Sequence, residues 1–504
     1  MEIATPKEDI LVSFSSFIAF PLAPLRSLAV IVGISALFLS SSLQAQSEQE
    51  KEVASEESYS FQVSIQPQET TRVKLMLEVG GKLKLADMKN RSIDPIDMSV
   101  VANLNYEEQW QLGDPHQVGG QRTIRYYQDP DATIKVGTGR VIPFLREDRR
   151  LIVSDRSVEG KPVLFSPQGP LTRDELDLLE VPCNTMALYT LLPEESQKIG
   201  DSWQAPADSW GAVLSLDAVS QSDVKSTLTE VSESEAIVDS QGVIDAAIGG
   251  VATEMEIESK CHFDLKSKRI KHFGLVIREK RSIGHVAPGL EVVARLRIAL
   301  SPIDKSDYLN DKRLEGVQTD PHPAVTMLVY EQPGQYFFFH PRDWYLLEND
   351  SQNVVLRLVR RGDLMAQCNI RAAKVGEDAP EPTMKNFQKQ VQQVLGDQFE
   401  KFIDAGQVPH EVDYNILRLE VAGTASNLPI RWIYYLVNVN ERQAVFTFTT
   451  EEALVESLKS IDYEIVSSFR YLEAIPDEEN APTPAEAEED RPESAQKQTD
   501  KMSK

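Results

Sequence analysis

Cysteine is nearly absent from this chain: Cys183, Cys261 and Cys368 stand singly among 504 residues, never as a Cys-x-x-Cys pair. That scarcity excludes a disulfide-stapled scaffold and disfavours structural zinc, whose ligands come in closely spaced pairs. An oxidising compartment would permit one bridge with one thiol left over, so pairing among the three stays open. Cys261 and Cys368 lie inside strand-like runs, which favours buried thiols. Positive charge is also short. The 52 Lys and Arg face 78 Asp and Glu, a net charge of −26, and no extended basic patch relieves it. A phosphate-backbone partner is therefore excluded, and the acidic coat favours solubility and repels anionic surfaces. Missing as well are a Gly-x-Ser-x-Gly elbow and a phosphate-cradling glycine loop, since "VIDAAIGGVA" lacks a following Lys-Ser/Thr.

What is present begins with a leader. In "RSLAVIVGISALFLSSSLQAQ", Arg26 precedes an apolar run from Leu28 to Leu39 and a small-residue stretch ending at Ala45. This is the order of an export signal, with cleavage after Ala45. The competing reading is an uncleaved membrane anchor, but the run is shorter than the roughly 20 apolar residues a span needs. The stretch before Arg26 carries Glu2, Glu8, Asp9 and its own apolar patch "ILVSFSSFIAF", as an extended leader or a misplaced start would. No cysteine follows the run, which disfavours a lipid-anchored form. Residues 1–45 are thus expected to be leader and 46–58 a disordered acidic tether, on an exported, periplasmic or extracellular protein.

From Tyr59 the chain breaks into short runs of alternating polarity, such as "RVKLMLEVGGKLKLA" and "VVANLNYEEQWQL", separated by Gly, Pro, Asn and Asp. These are signals of antiparallel strands. One helix stands out, "LTRDELDLL", where Thr172 and Glu175 form a capping-box pair. In "MEIESKCHFDLKSKRIKHFGLVI" apolar and polar residues alternate about a turn at Lys266 to Lys268, so one face lies on a core and the other in water. Residues 59–302 read as an antiparallel β-rich domain, a curved sheet or half-barrel with room for an apolar concavity. Polar residues with Asp-Pro and His-Pro turns make 303–331 a linker.

Residues 332–473 carry a different pattern. In "TMKNFQKQVQQVLGDQFEKFI", Met384, Phe387, Val391, Val394, Leu395, Phe399, Phe402 and Ile403 recur at mostly three- and four-residue spacing and predict one long amphipathic helix. The run "IRWIYYLVNVNERQAVFTFTT" is apolar on both faces and predicts a hairpin covered on both sides, followed by a helix capped by Thr449 and Glu452. The acidic tail 474–504 has little to bury and is expected to be disordered.

The order strand, "HPRDWYL", strand, "AQCNI", helix, apolar hairpin, helix and terminal "SSFRYL" resembles the PsbP-like domain superfamily. The resemblance covers about residues 332–473 and implies an α/β/α sandwich with a central antiparallel sheet, used mostly for docking or assembly. No functional residue carries across. The β-rich half weakly resembles exported bacterial β-domains of unassigned function. The expected fold class is therefore α+β, a β-rich domain followed by that sandwich.

Candidate chemistry is sparse. His262 and His272 would face each other if the hairpin closes symmetrically about Ser267, but a metal site needs further ligands and a solvated face is the plainer reading. His340 beside Asp343, with Cys368 as a thiol, is the nearest approach to a catalytic set, although Cys368 reads as strand core. Arg361-Gly362-Asp363 falls where a hairpin turn belongs. In a chain with 78 acidic residues, a pair such as Asp174 and Glu175 is uninformative. The expectation is a non-catalytic exported envelope protein, without cofactor, that binds a protein partner or an apolar small molecule. A hydrolase with an inter-domain site and a structural scaffold are the alternatives. Nucleic acid is not an expected partner, and a membrane is met only through an uncleaved leader.

Overall fold

The computed structural model describes residues 57–472 apart from 67, 86–93, 157–161, 334, 350–352, 375–381, 411–413, 440 and 459. The leader with Ala45, nearly all of the tether and the tail lie outside the described residues.

Alternation of apolar and polar residues builds the first unit. Its strands are β1 (Thr70–Lys84), β2 (Ile96–Leu112), β3 (Gln121–Tyr127), β4 (Asp131–Val136), β5 (Gly139–Val141), β6 (Leu151–Arg156) and β7 (Val163–Phe165). They continue with β8 (Ser202–Trp203), β9 (Ala218–Val231), β10 (Glu235–Ile248), β11 (Val251–Asp264), β12 (Arg269–Arg281) and β13 (Gly289–Ile303). All pair antiparallel in one 13-stranded sheet of order β7-β6-β3-β2-β1-β13-β12-β11-β10-β9-β8, with β4 on β2 and β5 on β4. In β1, Val73, Leu75 and Leu77 are buried while Lys74, Met76 and Glu78 are exposed. In β11, Met255, Ile257, Cys261 and Phe263 point the same way. One face of the sheet is therefore apolar along its length.

That face is filled by three short helices, α1 (Arg173–Leu179), α2 (Thr185–Leu188) and α3 (Ala207–Leu214), whose Leu176, Met186 and Trp210 enter the main core. The capping box of α1 forms as expected: Thr172 accepts from the Glu175 amide, and Glu175 reaches back to the Thr172 amide. The segment after β13 carries only two short helices, α4 (Asp311–Leu314) and α5 (Pro323–Thr326).

The second unit begins with β14 (Leu328–Gln332), β15 (Tyr336–His340), β16 (Trp344–Asn349), β17 (Val354–Arg360) and β18 (Asp363–Lys374). Next come α6 (Met384–Leu395), β19 (Phe399–Val408), β20 (Asn415–Ala425), β21 (Leu428–Val439), β22 (Arg442–Glu451), α7 (Ile461–Ser467) and β23 (Arg470–Tyr471). A seven-stranded antiparallel sheet of order β16-β17-β18-β22-β21-β20-β19 forms its centre, beside a small sheet β14-β15-β23. On β21, Trp432, Tyr434 and Leu436 meet α6, whereas Ile433, Tyr435 and Val437 join the opposite core with Trp344, Phe446 and Phe448.

The expected α+β class and the α/β/α sandwich do not form; the fold is mostly β, with large antiparallel sheets and short helices. Two misread segments explain the difference. Gly396, at φ +54°, ends α6 after Leu395, and the predicted last turns of that helix instead become β19, with Phe402 opposite Val421 on β20. Nor does a helix start at Thr449: it lies within β22 opposite Trp432, and Glu452–Leu458 is a 3-10 segment. The periodicity was real, but pairing with a long neighbouring strand outweighed it. The large sheet curves without closing into a barrel, since β7 and β8 are its two ends.

The two units touch through their turns. Gly249 and Gly250, both at positive φ, join β10 to β11, and a Cβ on Gly250 would lie 1.9 Å from the Gly362 amide nitrogen. Arg361-Gly362-Asp363 is thus a hairpin turn, as expected, and it packs on the other unit. Nearby, Val286 packs with Leu347, Val355 and Val359, and Arg357 Nη1 donates to the His285 carbonyl at 3.0 Å.

Candidate functional site: a cavity in the curved sheet

The concave apolar face is not fully filled. Between it and α1 lies a cavity of about 490 Å³. Side chains of alternate residues on β1 and β2 form one wall, among them Leu75, Leu77, Val79, Met98, Val100 and Ala102. Ile277 on β12 and Val292 and Ala294 on β13 continue it, while Leu178, Leu179 and Cys183 close the helix side. A volume in the range of roughly 300–1,000 Å³ with mostly aliphatic walls and polar groups gathered at particular points is the usual character of a small-molecule site.

At its deep end the polar groups are buried and fully engaged. Arg125, 4% exposed, donates from Nε to Glu108 Oε1 at 2.7 Å and from Nη2 to Asn184 at 2.7 Å and Thr185 at 3.1 Å. Glu108 also accepts from Thr185 and Thr123. The Arg125 guanidinium lies over the Tyr106 ring, 5.2 Å from its centre. Burial pushes the Tyr106 and Tyr127 hydroxyls up, so both stay protonated beside the cavity.

The other end is charged and is roofed by the second unit. Arg173 Nη2 donates to the Arg342 carbonyl at 2.6 Å, and its guanidinium sits 5.1 Å from the centre of the Tyr345 ring, which lines the cavity. Asp174 and Asp177 on α1 and Glu180 at its C-cap follow at three-residue intervals and share the cavity face. Asp177 lies 3.9 Å from Arg173. Burial, opposed by Arg173 and reinforced by Glu180 and Asp174, pushes the Asp177 carboxyl up to about 7.

That shift has a testable sign. A carboxyl raised above its ordinary value of about 3.9 destabilises the fold once it ionises, so stability is lost as pH rises from about 4 through 7. Asp177→Asn is expected to unfold at higher urea than the parent at about pH 8, with the difference vanishing below about pH 4. Equal midpoints at both pH values would contradict a half-buried, under-compensated carboxyl.

The residues singled out in the sequence lie elsewhere. His262 and His272 do pair across β11 and β12, with ring centres 6.0 Å apart, and His262 Nδ1 lies 3.3 Å from Glu235. They sit on the polar face of the sheet, and no group of three or more His, Cys, Asp or Glu suited to a metal converges among the described residues. His340 is 3% exposed, its Nδ1 2.9 Å from the Pro341 carbonyl; burial, with Arg173 near, holds it down at about 3 and so neutral. The three cysteines are free and buried, and burial pushes all three thiols up, that of Cys261 to about 12. None is poised as a nucleophile.

The cavity residues were missed, although one signal was available. Asp174 was passed over as one acid among many, yet its spacing with Asp177 and Glu180 on the one capped helix marks a carboxylate face. Glu175, its neighbour, is structural: it caps Thr172 and pairs with Arg146 at 2.6 Å.

No protein-family model matches the chain, and no curated protein matches it. Among solved structures it is similar to the cyanobacterial PsbP of Synechocystis, at 19% identity and TM-score 0.25, over 29% of this chain and 92% of that one. It is similar too to a Pseudomonas aeruginosa protein of unknown function, at 11% identity and TM-score 0.21, over 30% of this chain and 98% of that one. A Bacteroides thetaiotaomicron protein shares 11% identity at TM-score 0.23, over 29% of this chain and 48% of that one. Likenesses of this size carry no functional property to this chain.

Proposed function

We propose that this protein is a non-catalytic binding protein of an exported compartment, which holds an apolar small molecule in the concavity of its large sheet. The observation that carries the reading is the aliphatic cavity of about 490 Å³ between β1, β2, β13 and α1. Enclosing apolar groups there removes them from water at about 25 cal/mol per Å². Support for binding over hydrolysis comes from the neutral, buried His340, which does not line the cavity, and from the thiols, of which only Cys183 lines it and is kept protonated by burial. The export half of the reading rests on the leader ending at Ala45. We propose further that residues 332–473 are a docking module of the PsbP-like kind, on the sequence order of their motifs alone.

The test is titration of the full chain with N-phenyl-1-naphthylamine, a neutral probe that brightens in apolar surroundings. Saturable brightening at one site per chain supports the reading. A signal no larger than that of an unrelated acidic protein overturns it.

A further inference from the structure

We propose that the molecule held in the cavity is an amphipath with a cationic end, an amine or quaternary ammonium seated against Asp174, Asp177 and Glu180 with its apolar body against β1 and β2. This rests on the reading of the cavity as a ligand site and names the class of ligand.

The charges lining the cavity are four carboxylates and three guanidiniums. Each guanidinium is already taken. Arg125 belongs to Glu108 behind it, at 2.7 Å. Arg281 lies 2.5 Å from Glu279. Arg173 is shared between Asp177, the Arg342 carbonyl and the Tyr345 ring. An anionic head would find no cation without breaking one of these pairs, and a partly buried pair broken on one side leaves an uncompensated charge.

The carboxylates are in the opposite position. Among the described residues no hydrogen bond reaches Asp174 or Asp177, and Glu180 has only Arg342 at 3.9 Å. Asp177 is half-buried while Asp174 and Glu180 are exposed at the cavity's edge, so three carboxylates with one shared guanidinium between them leave that edge short of positive charge. The upward shift of both aspartates expresses the same shortage, burial being its first cause. An ammonium supplies the missing charge and up to three donors. The net charge of −26 draws cations toward the chain from a distance.

The experiment is displacement of bound N-phenyl-1-naphthylamine from the full chain at about pH 8 by decylamine, decyltrimethylammonium, decanol and decanoate, which share one tail. The two cations are expected to displace the probe at concentrations at least about tenfold below decanoate, with decanol between. In the Asp174→Asn/Asp177→Asn chain the gap should shrink to about threefold or less. If that chain fails to fold by circular dichroism, Asp177→Asn alone should narrow the same gap. Decanoate competing as well as the amines, or a preference unchanged in the variants, overturns the cationic assignment while decanol binding leaves the carrier reading standing. Failure of the probe and of every decyl ligand to enter overturns both.

Discussion

Glu108→Ala is expected to destabilise the first unit by about 3–5 kcal/mol, the loss typical of breaking one side of a buried ion pair. Glu108 is 2% exposed and Arg125 4%, so neither can turn to water when its partner is lost. Besides Arg125, the carboxylate gathers Thr123 and Thr185, which ties β2 to β3 and to α2. Removal leaves a guanidinium between the Tyr106 ring and the cavity with only Asn184 and Thr185 as acceptors. The measurement is urea unfolding of the full chain followed by far-ultraviolet circular dichroism. A second chain, Glu108→Leu with Arg125→Met, distinguishes charge from packing: it should recover most of the loss, because replacing both members by apolar groups of similar volume is often neutral. A single variant within about 1 kcal/mol of the parent would show that the pair is hydrated rather than buried.

The same site shows what could and could not be read from the sequence. Period-2 alternation in β1 and β11 was visible, because each strand has one face in water and one on the core. The capping box at Thr172 was visible for an equally local reason. Curvature of the sheet was expected, but the space it encloses depends on how far α1 sits from β1 and β2, and no local pattern encodes that distance. Glu108 and Arg125 are 17 residues apart and meet only because β2 and β3 pair in register, Glu108 opposite Arg125. In β2 the alternation stops at Tyr106, where five consecutive residues, Tyr106 to Trp110, are buried. Such a run of buried polar residues inside a strand was the one sequence hint of a polar network, and it reads in isolation as an ordinary hydrophilic stretch.

In the second unit the failures have one origin. Helical spacing of Phe399, Phe402 and Ile403 continued past Gly396, but those residues are offered a long partner in β20, and ladder pairing decides. Trp344 is a core anchor, 0% exposed and edge-on to Phe448. The strand it begins also delivers Tyr345 to the cavity and the Trp344 carbonyl to Arg173. The charged end of the cavity is therefore assembled from both units, with α1 on one side and the start of β16 on the other.

Ala102→Trp is expected to abolish probe binding, weakening it by at least about tenfold. Ala102 lies on β2 opposite Leu77 on β1 and Ala132 on β4, is 3% exposed, and lines the cavity with its methyl group. An indole at that position must project from the concave face into space a ligand would use, since the opposite face of the strand belongs to Val101 and Asn103. Overpacking a filled core usually costs about 1–3 kcal/mol. Here the indole enters an existing void and replaces lost contacts along its walls, so the urea midpoint should stay near that of the parent. Loss of binding with unchanged stability identifies the cavity as the site. Val101→Trp, which adds the same ring to the exposed face of the same strand, should bind the probe as the parent does. Unaltered binding in the Ala102 variant would place the ligand elsewhere on the chain, and a large fall in stability would mean that the space between α1 and β2 is closed in solution.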